Sequence, residues 1–566
     1  MNTVVAVVLA KERRMVARFV AAGALSRERA QSLEQLGLNR GVILRRLRER
    51  AVVRQAGQDL YYVDEQSWNA VRRTRRRAAS VFLIIGLIII FAVLWSKRAH
   101  ALGPSGFRDD SRGFRLQAED RSSRQVDAVF AEWNKPTSPG CALGVFRDGK
   151  IVYERGYGMA DVENDVPITP SSVFYVGSLS KQFTAAAAAL AISSGSLSPD
   201  DSIRKYLPEL PSYADAITVR HLVHHTSGLR DYNTLLSIAG RRGDEAYDNP
   251  TVLRITARQQ ALNFAPGAEY LYSNTGYTLL AIVVERATKT PFAAFADANI
   301  FKPLGMTETH FHTDAGRLVK RRANAYMLRP DGSVRLDTPS NERAGAGGVF
   351  TSVRELLHWD ENFYTAKVGG RQLIDQLQTP GRLKDGTALT YGWGLQVGTY
   401  RGSRIVEHGG SLGGYRAHLI RFPEQHTSFA ALCNLAIAPG NLVRHVADVV
   451  LADHLTQPRP ASPAAPARGP RAPADAPVAM DAQALSLYTG SYVSDEIDST
   501  FTIAVTDGKL TLQRDTDAQP VTLQPVQPDS FRVAGFTIRF ERKDGRVTSL
   551  RVDAGRVRDI RFVKSG

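Results

Sequence analysis

Two residues three apart could do chemistry together: Ser178 and Lys181, in FYVGSLSKQFTAAAAALAISSG. The alanine-rich run after them predicts a buried helix ending near Gly195. On a helix, positions i and i+3 share a face, so the hydroxyl and the amine can meet. A serine at a helix N-terminus also has a backbone N–H directed toward any negative charge that develops beside it. A lysine at its ordinary pKa is protonated and useless as a base, and burial among apolar side chains lowers that pKa. About one S-x-x-K arises by chance in a chain of this length, so the pair needs context.

Context comes some ninety residues later. In PGAEYLYSNTGYTLLAIVVERAT, Tyr272 and Asn274 form a Y-x-N in a turn before an apolar helix. A phenol can shuttle a proton between nucleophile and leaving group if neighbouring cations lower its pKa. The amide of Asn274 can hold the lysine or a substrate carbonyl. Tyr270 is a rival for the phenol role but has no asparagine two residues on. A third element, RIVEHGGSLGGYRAHLIRF, places His408, Gly409 and Gly410 where a strand gives way to a glycine-rich turn. Absent side chains let a substrate backbone lie along the strand edge, and the N–H of Ser411 could be an oxyanion donor.

In this order the three elements resemble the S-x-x-K penicillin-recognising hydrolases, and within them the class C β-lactamase and D-aminopeptidase/esterase-like group, serine peptidase family S12. The resemblance spans roughly residues 122–455. It rests on PITPSSVFYVGSLSK, ITVRHLVHHTSGL, FAPGAEYLYSNTGYTLL, IFKPLGMTETH, AGAGGVFTSVRELLHW, YGWGL and HGGSLGGY. It implies Ser178 as acyl-forming nucleophile, Lys181 as its base and Tyr272 as acid/base. It further implies Asn274 as a contact to substrate and lysine, and His408 as the strand residue facing a substrate carboxylate. Many β-lactamases of this group carry lysine where His408 stands, and a neutral imidazole attracts a carboxylate less than an ammonium does. Histidine there looks more like the peptidase and esterase members. The implied fold is α+β: an antiparallel sheet flanked by helices, β-lactamase/transpeptidase-like, with an all-helical insertion between Ser178 and His408. The PGCALGV strand is expected to lie near SFAALCNL. No cofactor and no metal are expected: His221, His224 and His225 cluster, as do His310 and His312, but no carboxylate or cysteine completes a ligand set.

The rest of the 566 residues frames this domain. The formal net charge is +16, and residues 1–77 hold 17 Lys/Arg against 7 Asp/Glu, ten of those sixteen charges. The bulk of the chain therefore needs no polyanionic partner. Cys141 and Cys433 are expected to be buried apolar side chains, with a disulfide as the alternative. Residues 1–77 read as a helix around Met15–Val20, a second helix capped by Ser26, a basic helix through NRGVILRRLRER and a hairpin turning at Ala56-Gly57-Gln58, a pattern resembling a winged helix-turn-helix. Arg45, Arg46, Arg48 and Arg50 could meet nucleic-acid phosphates, or be solvated or lie near anionic lipid. Ala78–Trp95 runs 18 residues without a charge behind Arg72, Arg73, Arg75, Arg76 and Arg77, predicting a transmembrane helix over 78–96 with the N-terminus cytoplasmic and the rest extracytoplasmic. Residues 97–121 are a linker. Gln457–Ala479 carries seven of the 27 prolines, marking a second, extended linker over 456–480. Residues 481–566 alternate apolar and polar positions, with hairpin pairs Asp507-Gly508 and Asp544-Gly545, and predict a small antiparallel β-barrel similar to the lipocalin-like domain behind many such hydrolases. That domain is given no chemistry.

The expectation is a membrane-anchored serine hydrolase acting through an acyl-enzyme on amide, lactam or ester bonds, with D-amino-acid peptides or small esters as substrates. Two alternatives stand beside it. One is a transmembrane sensor whose outer domain binds a wall fragment or β-lactam and whose inner module binds DNA. The other is a catalytically silent binding domain. Substrate identity and oligomeric state are not legible.

Overall fold

The computed structural model describes residues 2–26, 29–39, 41–49, 52–57, 59–64, 68, 113–241, 247–340, 342–459, 480, 482–533 and 535–565. It divides into two compact units, 1–111 and 112–566.

In the first unit, α1 (Asn2–Ala21) and α2 (Val42–Glu49) pack with a three-stranded antiparallel sheet of β1 (Gln31–Ser32), β2 (Val53–Gly57) and β3 (Leu60–Val63), in the order β1-β3-β2. Val16, Phe19, Leu44, Leu47, Val53 and Val63 form its core. The helix expected after Ser26 is instead the short strand β1 and a turn. Ladder pairing of Gln31 with Tyr61 and of Ser32 with Leu60 takes the segment that propensity alone offered to a helix. Two of the basic residues on α2 are engaged within the module. Arg46 pairs with the buried Glu12, and Arg48 donates to Gln55 while lying over the Tyr61 ring.

The membrane reading is corrected. Among the described residues no helix is long and apolar enough to cross a membrane. The longest, α1, carries Lys11, Glu12, Arg13, Arg14 and Arg18, charges that a hydrocarbon core does not accept unpaired. Residues 78–96 lie outside the described residues, as do most of the segments expected as linkers, 97–121 and 456–480. No transmembrane helix or anchor, and so no extracytoplasmic placement resting on one, is evident among the described residues.

The second unit is built on a six-stranded antiparallel sheet of β4 (Cys141–Arg147), β5 (Lys150–Tyr157), β6 (Gln396–Tyr400), β7 (Ser403–Leu412), β8 (Tyr415–Phe422) and β9 (Thr427–Cys433). Its order is β6-β7-β8-β9-β4-β5, so the last strands of the domain close against the first. Alternation divides the side chains between two faces. Leu143, Val145, Ile420, Phe422, Phe429 and Ala431 meet α3 (Gly113–Val129) and the helix Pro439–Val450 on one face. Ala142, Phe146, Val406, Ala417, Leu419 and Leu432 join the larger core around α4 (Lys181–Ser193) on the other. The strands of PGCALGV and SFAALCNL pair directly, as expected from sequence. Cys141 stands opposite Cys433 in that register, and the two are joined as a disulfide rather than lying as separate apolar side chains.

The insertion between Ser178 and His408 is mostly but not wholly helical. Strand Val349–Thr351 pairs with Phe174–Tyr175 and with His310–Phe311, and Tyr326–Leu328 pairs with Val334–Leu336. Short pairings of this kind leave almost no periodic signal in sequence, because two or three residues are less than one repeat of either pattern.

Residues 490–564 form a nine-stranded antiparallel barrel. Its two terminal strands, Val521–Thr522 and Gln524–Gln527, are separated only by Leu523 and do not ladder with each other, so the barrel is nearly closed. Phe501, Leu512, Phe531, Ile538, Leu550 and Phe562 fill it. Helix α5 (Tyr232–Ile238) of the hydrolase part adds Leu235, Ile238 and Ala239 to the same core. A buried ion pair fastens the two: Arg230 Nη1 lies 2.6 Å from Glu496 Oε2, with both side chains at most 5% exposed. Gln260 N also donates to that carboxylate, and Arg230 donates to the carbonyls of Arg558 and Asp559. Removing one partner of such a pair strands the other charge in a dry environment. Glu496→Ala is expected to destabilise the chain by about 3–5 kcal/mol. The exposed Glu209→Ala, which breaks only the surface pair with Arg286, is expected to cost less than about 1 kcal/mol. Chemical denaturation of the two variants side by side checks the difference.

Candidate active site

The Ser178 loop is shaped before it is chemical. Residues Gly177–Ser180 form a 3-10 turn that runs into α4, which ends at Ser193 before Gly195 at φ +74. Gly177 sits at φ +54, and a Cβ there would stand 2.4 Å from the backbone nitrogen of Ser411. Across that contact, a Cβ on Gly410 would meet the Val176 carbonyl oxygen at 1.9 Å. Strand β7 can therefore reach the nucleophile's loop only with hydrogen at both positions. Five successive alanines, Ala185–Ala189, let α4 lie close against α6 (Asn274–Thr288). Segment 345–349 is tied to the start of α4 by Thr184 Oγ1 donating to Gly345 O and Val349 N donating to Ser180 Oγ.

These approaches surround Lys181, which is fully buried. Its Nζ lies 2.7 Å from Ala346 O, 2.9 Å from Asn274 Oδ1 and 3.1 Å from Ser178 Oγ. Burial pushes its pKa well below the ordinary lysine value, against the pull of Asp231 and with help from the positive charge of Arg556. A neutral amine has two N–H bonds and one lone pair. With two carbonyl oxygens taking the hydrogens, the lone pair is left for the Ser178 hydroxyl.

Tyr272 sits over this pair, with the Lys181 ammonium position 4.7 Å from its ring centre. Its side chain borders the cleft together with Ser178. Burial raises this phenol's pKa, and outweighs the lowering effect of its polar neighbour Ser178 and of the Arg556 charge. At neutral pH Tyr272 is a phenol that gives and takes hydrogen bonds, not a phenolate. Tyr270 is 38% exposed, against the cleft-lining Tyr272.

His408, on β7, borders the cleft. Its Nδ1 is 2.6 Å from Gly409 O, which can only accept, so the proton sits on Nδ1. Its Nε2 then accepts from Tyr391 Oη at 2.9 Å. Burial, with Lys181 nearby, holds its pKa down at about 3. The ring lines the cleft as a neutral group whose two nitrogens are already engaged, so it has no charge to offer a carboxylate.

The cleft has a volume of ≈ 440 Å³, and Ser178, Tyr272, His408, Gly409, Gly410 and Ser411 all border it. Lys181 and Asn274 lie beneath, joined to it through Ser178. The structure thus brings the eight expected residues to one place. Three participants were not singled out from sequence. Asp231 caps α5 and accepts from Asn274 N at 2.7 Å, which fixes the amide that contacts Lys181. Tyr391 belongs to the YGWGL segment, and a tyrosine ahead of a glycine pair gives no local sign that it will reach a histidine 17 residues on. Arg556 comes from the barrel, with its guanidinium carbon 4.8 Å above the Tyr272 ring. His225 accepts from Ser273 N and stacks on Tyr272 with ring centres 4.2 Å apart, a support for that ring; His310 and His312 contact each other elsewhere.

An antiparallel sheet closed by its own first strands, with a serine and a buried lysine of depressed pKa at the start of the helix that meets β7, defines a serine hydrolase of the penicillin-recognising kind. The chain belongs to the β-lactamase family: the family model described as Beta-lactamase matches residues 126–452. A second model, Domain of unknown function (DUF3471), matches residues 474–564. The chain is 27% identical over 313 residues to a D-aminopeptidase of Gluconobacter oxydans (strain 621H), covering 55% of this chain and 59% of the relative. It is 30% identical over 302 residues to a penicillin-binding protein of Bacillus subtilis (strain 168), covering 50% of this chain and 66% of the relative. The chain therefore spans about six tenths of the length of these curated relatives. In fold it is similar to the penicillin-binding protein homologue from Pyrococcus abyssi, with a TM-score of 0.52 and 21% identity over 79% of this chain and 99% of that one.

The glycine contact yields a direct check. Gly410→Ala should leave the chain folded but push β7 away from Ser178, lowering kcat/KM for any turned-over substrate about 100-fold or more. Circular dichroism and steady-state kinetics on the same preparation test it; a variant as active as wild type would contradict this reading of the loop.

Proposed function

We propose that the chain hydrolyses amide, ester or lactam bonds through an acyl-enzyme on Ser178. The observation that carries this reading is the Lys181 amine, fully buried, 3.1 Å from Ser178 Oγ and with carbonyl oxygens as its other two partners. As Ser178 Oγ bonds to the substrate carbonyl carbon, its proton passes to Lys181 Nζ. The oxyanion is met by the N–H groups of Ser178 and Ser411, which flank the same edge of the cleft. Collapse of the tetrahedral species breaks the bond to the leaving amine or alcohol. The proton held on Lys181 returns to that group through the Tyr272 hydroxyl, which borders the cleft beside Ser178. Water then enters, loses a proton by the same route, and releases the acid.

D-amino-acid amides and peptides, and small esters, are the proposed substrates. The similarity to a D-aminopeptidase and a penicillin-binding protein supports this class. The neutral, fully engaged His408 favours such substrates over efficient β-lactam turnover.

Two outcomes are expected. A fluorophosphonate should label the full chain and fail to label Ser178→Ala, and the same substitution should abolish hydrolysis of nitrophenyl esters and D-alanine anilides. A Ser178→Ala protein working at the wild-type rate would remove the proposal. The second outcome concerns pH. Only unprotonated Lys181 can accept the serine proton. At an ordinary lysine pKa of about 10.4, fewer than about one molecule in a thousand would be competent at pH 7. Because burial depresses the pKa, kcat/KM should reach its plateau well before the ordinary lysine range near pH 10. A profile that rises only toward pH 10 would show an unperturbed lysine.

A further inference from the structure

The barrel contributes a cation to the cleft. Strands Arg546–Ala554 and Val557–Lys564 are joined by a two-residue turn, Gly555-Arg556, with Gly555 at φ +49. That turn is clamped to the hydrolase part from both sides. Arg556 O accepts from Asn263 Nδ2 at 3.0 Å and from Asp231 N at 3.4 Å, and Arg558 N donates to Asn263 Oδ1 at 2.8 Å. Arg558 also pairs through both terminal nitrogens with Glu269. The backbone of the turn is thus held at the mouth of the cleft, and the Arg556 side chain borders it together with Ser178 and Tyr272.

The guanidinium itself is lightly engaged. It lies over the Tyr272 ring, and its one ion pair, to Asp231, is long at 3.8 Å. Asp231 already accepts from the backbone N–H groups of Asn233, Thr234 and Asn274 and does not need it. The side chain is 43% exposed. A guanidinium has five N–H donors in a fork that matches a carboxylate, and here most of them are left for something in the cleft. Of the other cleft-lining cations, Arg416 is half-buried and turns Nη1 to the carbonyls of Gly413 and Tyr415, and His418 is paired with Glu407. His408 is kept neutral by burial.

We propose that Arg556 receives a carboxylate of the substrate, so that the C-terminal barrel completes the cleft for anionic D-amino-acid peptides; this deepens, and rests on, the hydrolytic reading of the same cleft. The barrel is then a specificity element of the cleft, built around a turn rather than around its filled interior.

The test is equilibrium binding to the full chain carrying Ser178→Ala, which does not turn ligand over. The probes are N-acetyl-D-alanyl-D-alanine and its C-terminal amide, which differ in one charge. The carboxylate should bind at least tenfold more tightly than the amide. Adding Arg556→Gln should bring the two affinities together while leaving the amide nearly unchanged, and Arg556→Lys should keep part of the preference. Equal binding of the two ligands, no binding of the carboxylate, or a preference that survives Arg556→Gln would overturn the assignment. If Arg556→Gln weakens both ligands alike, Arg556→Lys decides: a preference retained supports the assignment, and one lost with the charge still present overturns it. Failure of the hydrolytic reading would show separately, as a wild-type chain that no fluorophosphonate labels.

Discussion

An amine buried so that its protonated form is disfavoured is the constraint on which the rest of the second unit turns. A primary amine in water holds its proton at neutral pH, and only removal from water makes the free base the stable form. Lys181 meets that condition because the helix beneath it is lined with alanines, and because two carbonyl oxygens, from Ala346 and Asn274, satisfy its N–H bonds without supplying a negative charge. A carboxylate at either position would return the proton to the lysine. The one carboxylate in the neighbourhood, Asp231, is turned to backbone N–H groups instead, and its pull on the lysine is outweighed by burial.

Much of the surrounding architecture keeps those two carbonyls in place. Ala346 is held because its flanking residues bond to Ser180 and Thr184 at the start of the same helix. Asn274 is held because its own N–H is fixed by Asp231, which also caps α5. Helix α5 in turn buries its apolar face in the barrel. The path from the amine to the C-terminal domain is therefore short: lysine, asparagine, aspartate, helix, barrel core. The buried Arg230–Glu496 pair lies beside that path and fastens the same two bodies. The barrel is consequently joined to the catalytic geometry both through packing and through the turn that carries Arg556.

The lining of the cleft shows how burial changes what a residue type can do. By their types alone, Tyr272 could be a phenol activated by cations and His408 a contact for substrate carboxylate. In the folded chain both are neutral for the same reason: removal from water disfavours phenolate and imidazolium alike, and outweighs the charges that would favour them, Arg556 beside the phenol and Glu407 beside the imidazole. Local sequence cannot reveal this, because the sign and size of a pKa shift depend on what the rest of the chain packs around the group.

The order of motifs along the chain was enough to point to the residues that meet around Ser178, because helical spacing joins Ser178 to Lys181 and because hydrogens are required where β7 crosses the loop at Gly410. The alternating pattern beyond residue 481 was likewise enough for a barrel, since a two-residue repeat is dictated by the pleat itself. Tertiary structure alone decided the rest. It made Cys141 and Cys433 a disulfide, because only strand register places them opposite each other. It turned the expected second N-terminal helix into a strand through pairing with a residue run some thirty positions away. It also brought Tyr391 to His408 and Arg556 to Tyr272, contacts between side chains 17 and 284 residues apart. Neighbour relations of that kind are set by packing of whole elements, and no window along a sequence contains them.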